Sequence, residues 1–346
     1  MEPSPPVDAG SASGDDAMSG SSVVASADAG SQAEASVDAS LTSGTIWTSD
    51  DGPILGLAVS GDRIFVVTQE KLTSMARDGS QVQVLQQTAQ RFGYSGAIAV
   101  NDETAYWGTS VGASGQEAGT VWAITRDGEM TTIGDEGYNV VGLALDEARV
   151  YWLTNDAVLS APLGGGSGTS LAPLAGLSYE NDLAVAGGDL YWSTNSSAVG
   201  SQMAGVFRMP STGATPTSIG DGPVFSLEAT ADGVAWLENP TPVIVATPAG
   251  GTAQRIPLSG SVSEVATDGG HWYWRDDGTG VLQVLANGAT TSQALTQAVA
   301  AATANNGDGR HILVDQGQVI WADRSGPIAS QPDVNVLRVL ALPPMQ

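Results

Sequence analysis

A three-residue step, ending in most copies in Tyr-Trp or Trp, occurs seven times along this chain. It reads Ile64-Phe65-Val66, Ala105-Tyr106-Trp107, Val150-Tyr151-Trp152, Leu190-Tyr191-Trp192, Val234-Ala235-Trp236, Trp272-Tyr273-Trp274 and Val319-Ile320-Trp321. The third positions are 41, 45, 40, 44, 38 and 47 residues apart. That spacing matches one four-stranded propeller blade, about 40–45 residues. Each copy follows an apolar run that ends in a turn. The expected fold is therefore all-β, a seven-bladed β-propeller of four-stranded antiparallel blades. The repeat constrains the fold but names neither a ligand nor a reaction.

Residues 140–171 illustrate the plan. Val140-Val141-Gly142-Leu143-Ala144-Leu145 is a short apolar run, suited to an inner strand buried on both faces. Asp146 to Arg149 turn the chain, and Val150-Tyr151-Trp152 begins the second strand. Val158 to Pro162 form the third, Gly164-Gly165-Gly166 a hairpin, and Thr169-Ser170-Leu171 the outer strand. Hairpin glycines recur at Asp78-Gly79, Asp127-Gly128, Thr212-Gly213, Gly250-Gly251 and Asn287-Gly288, where positive φ is needed. One inner-strand position reads Ala58, Ala99, Ala144, Ala184, Ala229, Ala266 and Leu313. A column of alanines implies a crowded site near the axis. The aromatic column is expected to pack blade against blade.

The last repeat is incomplete. Its third strand, Val336 to Leu340, runs into Pro343-Pro344 with no fourth strand behind it. Gly44-Thr45-Ile46-Trp47-Thr48 resembles the outer strand Met130 to Gly134 and precedes an inner strand in the same way. Residues 44–49 are thus expected to complete blade seven and close the ring, which removes exposed edges.

Residues 1–43 carry no aromatic residue, no Lys and no Arg, but seven acids: Glu2, Asp8, Asp15, Asp16, Asp28, Glu34 and Asp38. Such a stretch buries too little apolar surface to offset its ordering entropy, so a disordered acidic tether is expected there, with the propeller spanning 44–346. The formal charge of the chain is −25, and −18 remains once the seven tail acids are removed. A surface of this sign repels phosphate, which argues against nucleic acid and anionic membranes and favours cations or basic proteins. Solubility alone is the plainer explanation of the charge. The chain has no cysteine, so neither disulfides nor cysteine zinc sites are available. No apolar run is long enough to span a membrane, and no signal peptide is visible.

The Tyr-Trp steps at 106–107, 151–152, 191–192 and 273–274 resemble the YWTD repeats of low-density lipoprotein receptor propellers, over residues 44–346. Two residues beyond the aromatic column stand Thr68, Thr109, Thr154, Thr194, Glu238, Asp276 and Asp323. The YWTD family carries an acid there, and only the last three blades keep it. That family usually builds six blades, whereas seven are counted here. The chain is also similar to NHL-like and lyase-type bacterial propellers. Its tail resembles the tether of bacterial lipoproteins, especially the Asp-Ala-Gly-rich ones of myxobacteria. That resemblance implies an exported protein, periplasmic, extracellular or held at the outer membrane by a lipid anchor.

Two features distinguish one blade from another. From the aromatic column to the third strand the spacing is 6, 14, 6, 14, 7, 7 and 15 residues. The long loops Val111–Gly119, Ser196–Gly205 and Ser325–Asn335 should share one face with the connector Ala298–Gly309. Long loops often carry function, although neutral drift also lengthens them. Two residues before the alanine column stand Gly56, Ala97, Gly142, Asp182, Leu227, Glu264 and His311, with Glu228 one position off. Alternation aims these toward the axis on the loop-rich side. Asp182, Glu228, Glu264 and His311 are therefore candidate ligand-binding residues at the channel mouth. Asp182 and Glu264 are the candidate ligands of a metal such as calcium, and a solvated channel lining is the plain alternative. Asp276 and Asp323 lie on the same face and are more simply read as solvated charges. Asn305-Asn306-Gly307-Asp308-Gly309 resembles a calcium loop faintly but lacks the later bidentate Glu.

No Gly-x-Ser-x-Gly elbow or phosphate loop is present, and the two histidines, His271 and His311, are too few for a multi-histidine metal centre. The expectation is a monomeric, non-catalytic binding or scaffold propeller engaging a protein, glycan or cationic ligand through its loop-rich face. The alternative is a metal-assisted lyase resembling the streptogramin-inactivating propellers, with His311 as base and Glu264 and Asp182 placing the metal.

Overall fold

The structure, a computed structural model, describes residues 44–87, 96–109, 119–134, 139–174, 182–194, 204–230, 233–238, 241–248, 252–296, 311–324 and 334–342. The predicted tether 1–43, most of the three long loops, the connector 298–309 and the hairpin at Gly250-Gly251 lie outside these residues.

The described residues form seven antiparallel sheets of four strands. Each inner strand lies against the inner strand of the next sheet, and that of blade seven lies against that of blade one. The result is a closed ring, the seven-bladed propeller expected from the repeat. Blade three shows the order: Val140–Leu145, Arg149–Thr154, Ala157–Pro162 and Thr169–Pro173, from axis to rim. Because the strands alternate in direction, the turns between strands one and two and between three and four share one face. The turns between strands two and three share the other face with the connectors between blades.

The recurring step has a simple physical cause. Successive strand residues point to opposite faces of the sheet, and here both faces are covered by neighbouring blades. Tyr151 packs with Trp192 between blades three and four, while Trp152 packs with Tyr106 between blades two and three. The same division holds for Tyr273, which faces blade seven, and Trp274, which faces blade five. Trp107, Trp152, Trp192, Trp236 and Trp274 are fully buried. The step therefore fastens each blade to both neighbours at once.

Turns are fixed locally. Asp146 accepts the N–H groups of Ala148 and Arg149 at 2.8 and 2.7 Å and the Tyr151 hydroxyl at 2.6 Å. Asp268 does the same for Gly270, His271 and the Tyr273 hydroxyl at 2.8, 2.7 and 2.8 Å. Each such aspartate ties the turn before the second strand to the Tyr of the step that follows.

The ring closes as expected. Gly44–Thr48 pairs with Val334–Ala341 and becomes the outer strand of blade seven. Across the seam, Gly79 of blade one has φ +81°, and a Cβ there would come within 2.2 Å of the Ile46 carbonyl oxygen. Arg77 of blade one pairs with Asp315 of blade seven.

Blade five corrects one expected register. Leu227 lies opposite Trp236, and Glu228 lies opposite Ala235. In blades three and four the partners of Trp152 and Trp192 are Leu143 and Leu183, and the column alanines Ala144 and Ala184 follow them. The residue of blade five in the alanine column is thus Glu228, not Ala229. The residue two positions before it is Ser226, not Leu227. Pairing to the aromatic step, rather than the nearest alanine, sets the register; an irregularity between Val224 and Ser226 leaves Phe225 44% exposed.

Candidate functional site

The polar residues of the inner strands stand where one blade meets the next, and each reaches across. An Asp182 carboxylate oxygen in blade four accepts the Leu227 N–H of blade five at 2.9 Å. The Ser226 hydroxyl in blade five accepts the Val265 N–H of blade six at 3.4 Å. Glu264, just before the inner strand of blade six, accepts the His311 N–H through both oxygens, at 2.8 and 3.0 Å, and the Ile312 N–H at 3.3 Å. Three consecutive junctions are thus joined by side chains that satisfy backbone donors of the next blade. At the first junction the opposite solution is used. Gly56 has no side chain, and a Cβ there would come within 2.1 Å of the Gly96 carbonyl oxygen, so backbones meet directly. The change from small residues in the early blades to polar ones later is a change in how blades are joined.

Beside the Glu264–His311 junction lies a small recess lined by Ser263, Glu264, Arg275, Asp277, His311 and the Trp321 ring. Its volume is about 20 Å³, room for a water or for the polar end of a small group. Arg275 ends the second strand of blade six, and its Nη2 stands 3.1 Å from Asp323 Oδ1 of blade seven. The contact is an ion pair by distance, but its angle falls short of a hydrogen bond, and Nη2 and Nε have no hydrogen-bond partner. Asp323, 3% exposed, also accepts from Arg338 Nε at 3.0 Å. His311 Nδ1 is 3.6 Å from Glu264 Oε2, and its Nε2 is buried without a partner. Burial, the largest influence, holds the Asp277 carboxyl above its ordinary pKa, with Asp276 and Glu264 adding to the effect against Ser263 and Arg275.

The six residues singled out from sequence are only partly brought together. Glu264 and His311 share this recess, and Asp323 joins it through Arg275. Asp182 serves another junction, between blades four and five. Glu228 is buried in the alanine column of blade five. Asp276 caps its own turn, accepting the N–H groups of Gly278 and Thr279 at 2.8 and 3.1 Å. Thr154 does the same in blade three, accepting the Ala157 N–H at 3.1 Å, and Thr68 in blade one, accepting the Lys71 N–H at 3.1 Å; these two threonines keep the role where the expected acid is replaced. Glu238 is held by Arg255 and by the Trp236 indole N–H at 2.5 and 3.2 Å. The acids are neither a common solvated lining nor one pocket.

The structure does not bring the expected metal pair, Asp182 and Glu264, to one junction. They act at separate junctions, one Asp182 oxygen and both Glu264 oxygens accept backbone N–H groups, and among the described residues no three His, Asp or Glu side chains gather as metal ligands. For the same reason Asp182, Glu264 and His311 are not assembled as the lyase alternative requires. The faint calcium loop at 305–309 lies outside the described residues.

Sequence reasoning missed Arg275, Asp277, Ser226 and Arg338. Arg275 had a signal. The residues just after the aromatic column are Val67, Gly108, Leu153, Ser193, Leu237, Arg275 and Ala322, and a lone arginine in that position marks a buried charge in need of a partner.

No protein-family model matches the chain, and no curated protein matches it. Solved structures do. A chain of a mitotic checkpoint complex is 12% identical, with TM-score 0.62 over 93% of this chain and 99% of that one. The WD40 domain of Neurospora crassa Pan2 is 12% identical, with TM-score 0.58 over 85% and 91%. A chain of Kuenenia stuttgartiensis hydrazine synthase is 18% identical, with TM-score 0.53 over 70% and 79%. At these identities the likeness is one of fold.

Proposed function

We propose that this chain is a binding propeller that engages a partner through the face carrying the inter-blade connectors and the recess between blades six and seven. One observation carries the reading: three of the carboxylates that could have served a metal or a reaction, Asp182, Glu264 and Asp323, are occupied in holding strands and blades together. Asp182, Glu264 and Asp323 each face donors from a neighbouring strand or blade. What such an arrangement provides is a rigid rim for recognition. The WD40 domain and the checkpoint-complex chain among the structural neighbours are in keeping with a scaffold role, although the fold hosts many activities. The partner is a protein or glycan, met by an acidic surface outside the cell or in the periplasm, where the resemblance of the tail to lipoprotein tethers would place it.

The test compares the two faces. Asp156 and Asp221 are exposed on the connector face, whereas Glu103 and Asp127 are exposed on the opposite face. The paired variants Asp156→Lys with Asp221→Lys, and Glu103→Lys with Asp127→Lys, are applied to a glycan array and used to capture partners from source-cell extract. The reading expects binding that is weakened at least tenfold by the first pair and unchanged by the second. Equal effects from both pairs would contradict it.

A further inference from the structure

The recess between blades six and seven has an unusual inventory for so acidic a protein. Three of the polar atoms on its lining residues are buried and have no hydrogen-bond partner: Arg275 Nε, Arg275 Nη2 and His311 Nε2. The His311 side chain is 6% exposed. A buried polar atom without a hydrogen-bond partner costs about 1–3 kcal/mol; Arg275 Nη2 is partly compensated by its ion pair with Asp323, and three such atoms on residues lining one recess point to one missing group rather than to three separate defects. The two guanidiniums of the neighbourhood, Arg275 and Arg338, are matched by the carboxylates of Asp323 and Glu264, and burial favours the neutral form of Asp277. Asp323 stands between Arg275 and Arg338, and Glu264 is held by the backbone of blade seven. Adding a cation would set it beside a guanidinium, and adding an anion would place uncompensated charge in a buried site.

The hydrogen-bonding sense of each atom narrows the ligand further. The Arg275 atoms can only donate. His311 Nδ1 lies 3.6 Å from the Glu264 carboxylate, and Nε2 is an acceptor whenever the neutral ring carries its proton on Nδ1. The complement is a neutral group with an oxygen acceptor on one side and an N–H donor on the other.

We propose that this recess is an amide-recognition site. The carbonyl oxygen of an amide accepts from Arg275 Nε and Nη2, and its N–H donates to His311 Nε2. The amide is that of an Asn or Gln side chain or of an exposed peptide bond presented by the partner. This inference rests on the binding reading above and names what that face selects. It also replaces the cation expected from the acidic residues alone.

The test needs no partner. Acetamide, sodium acetate and calcium chloride are titrated at constant ionic strength into the full chain labelled with 15N. The Arg275 Nε–H resonance, the His311 ring nitrogens and the melting temperature are followed. Acetamide is expected to move the Arg275 and His311 signals in a saturable way and to raise the melting temperature by a degree or more. Acetate and calcium should do neither. The variant Arg275→Gln should abolish the response. Should it fold poorly, Asp277→Leu, which fills the recess and leaves the Arg275–Asp323 pair in place, should abolish it in a folded protein. Inert acetamide, a stronger response to acetate or calcium, or a response that survives Asp277→Leu would overturn the assignment. A face-dependent partner with an inert recess would overturn this inference alone. A responsive recess with no face-dependent partner would overturn only the broader reading.

Discussion

Glu264 in blade six holds the backbone N–H of His311 in blade seven with both of its carboxylate oxygens, at 2.8 and 3.0 Å. The contact crosses a blade junction, and its acceptor is charged, so its removal leaves two backbone donors, those of His311 and Ile312, without their partner. Hydrogen bonds to charged groups contribute about 1.5–3 kcal/mol. Glu264→Ala should therefore lower stability by about that much in chemical denaturation, whereas Glu264→Gln, which retains an acceptor oxygen, should lose less than half of it. Equal losses would show that the carboxylate acts in some other way.

Closure gives a second expectation. Removing residues 44–48 strips blade seven of its outer strand and bares the edge of Val334–Ala341. The shortened chain should melt at least 10 °C lower than the full chain, or associate through the bared edge. Gly79→Val should act in the same direction without any deletion, because its side chain would strike the Ile46 carbonyl oxygen in the closing strand.

The aromatic step should be the most sensitive packing position. Trp152 is fully buried between blades two and three, so Trp152→Ala should cost about 3–5 kcal/mol. Tyr151→Phe keeps the ring and loses the hydroxyl bond to the charged Asp146 carboxylate, so it should cost about 1.5–3 kcal/mol. Denaturant midpoints with unchanged slopes would separate the two.

Acid should weaken the molecule through its turn aspartates. Burial opposes ionisation of Asp146 and Asp268, yet the Tyr hydroxyl and backbone N–H bonds outweigh it and hold both carboxyls below their ordinary pKa. Their stabilising effect is present above the unfolded value of about 3.9 and is lost as pH falls through the lower folded values. Melting temperature should fall steeply below about pH 4, and less steeply in Asp268→Asn with Asp146→Asn. Asp277 has the opposite sign. Its folded pKa is raised by burial, so its contribution is present at low pH and lost as pH rises through that value. Asp277→Asn should raise the melting temperature at pH 7 and leave it nearly unchanged near pH 3.5.

The sequence made the ring legible because the Tyr-Trp step repeats at the length of a blade and because Gly44 to Thr48 looks like the missing strand. It made the site only half legible. Asp182, Glu264 and His311 were found because they interrupt a column of small residues. Their task was hidden, because a carboxylate that binds a cation and one that accepts a neighbour's N–H read alike in sequence. Blade five misled for a related reason: Ala229 resembles its counterparts, but the pairing of Leu227 with Trp236 puts Glu228 in their place. Arg275 escaped notice because its meaning depends on Asp323, 48 positions later in the chain and brought near only when blades six and seven meet.

The most direct measurement of the central claim is the melting temperature of the full chain and of Asp182→Ala with Glu264→Ala, each with and without millimolar calcium. If the inner-strand acids are clasps between blades, the double variant melts well below the parent in both conditions, and calcium shifts neither. A calcium-dependent rise in the parent that disappears in the double variant would contradict the account and restore a metal site at the channel mouth.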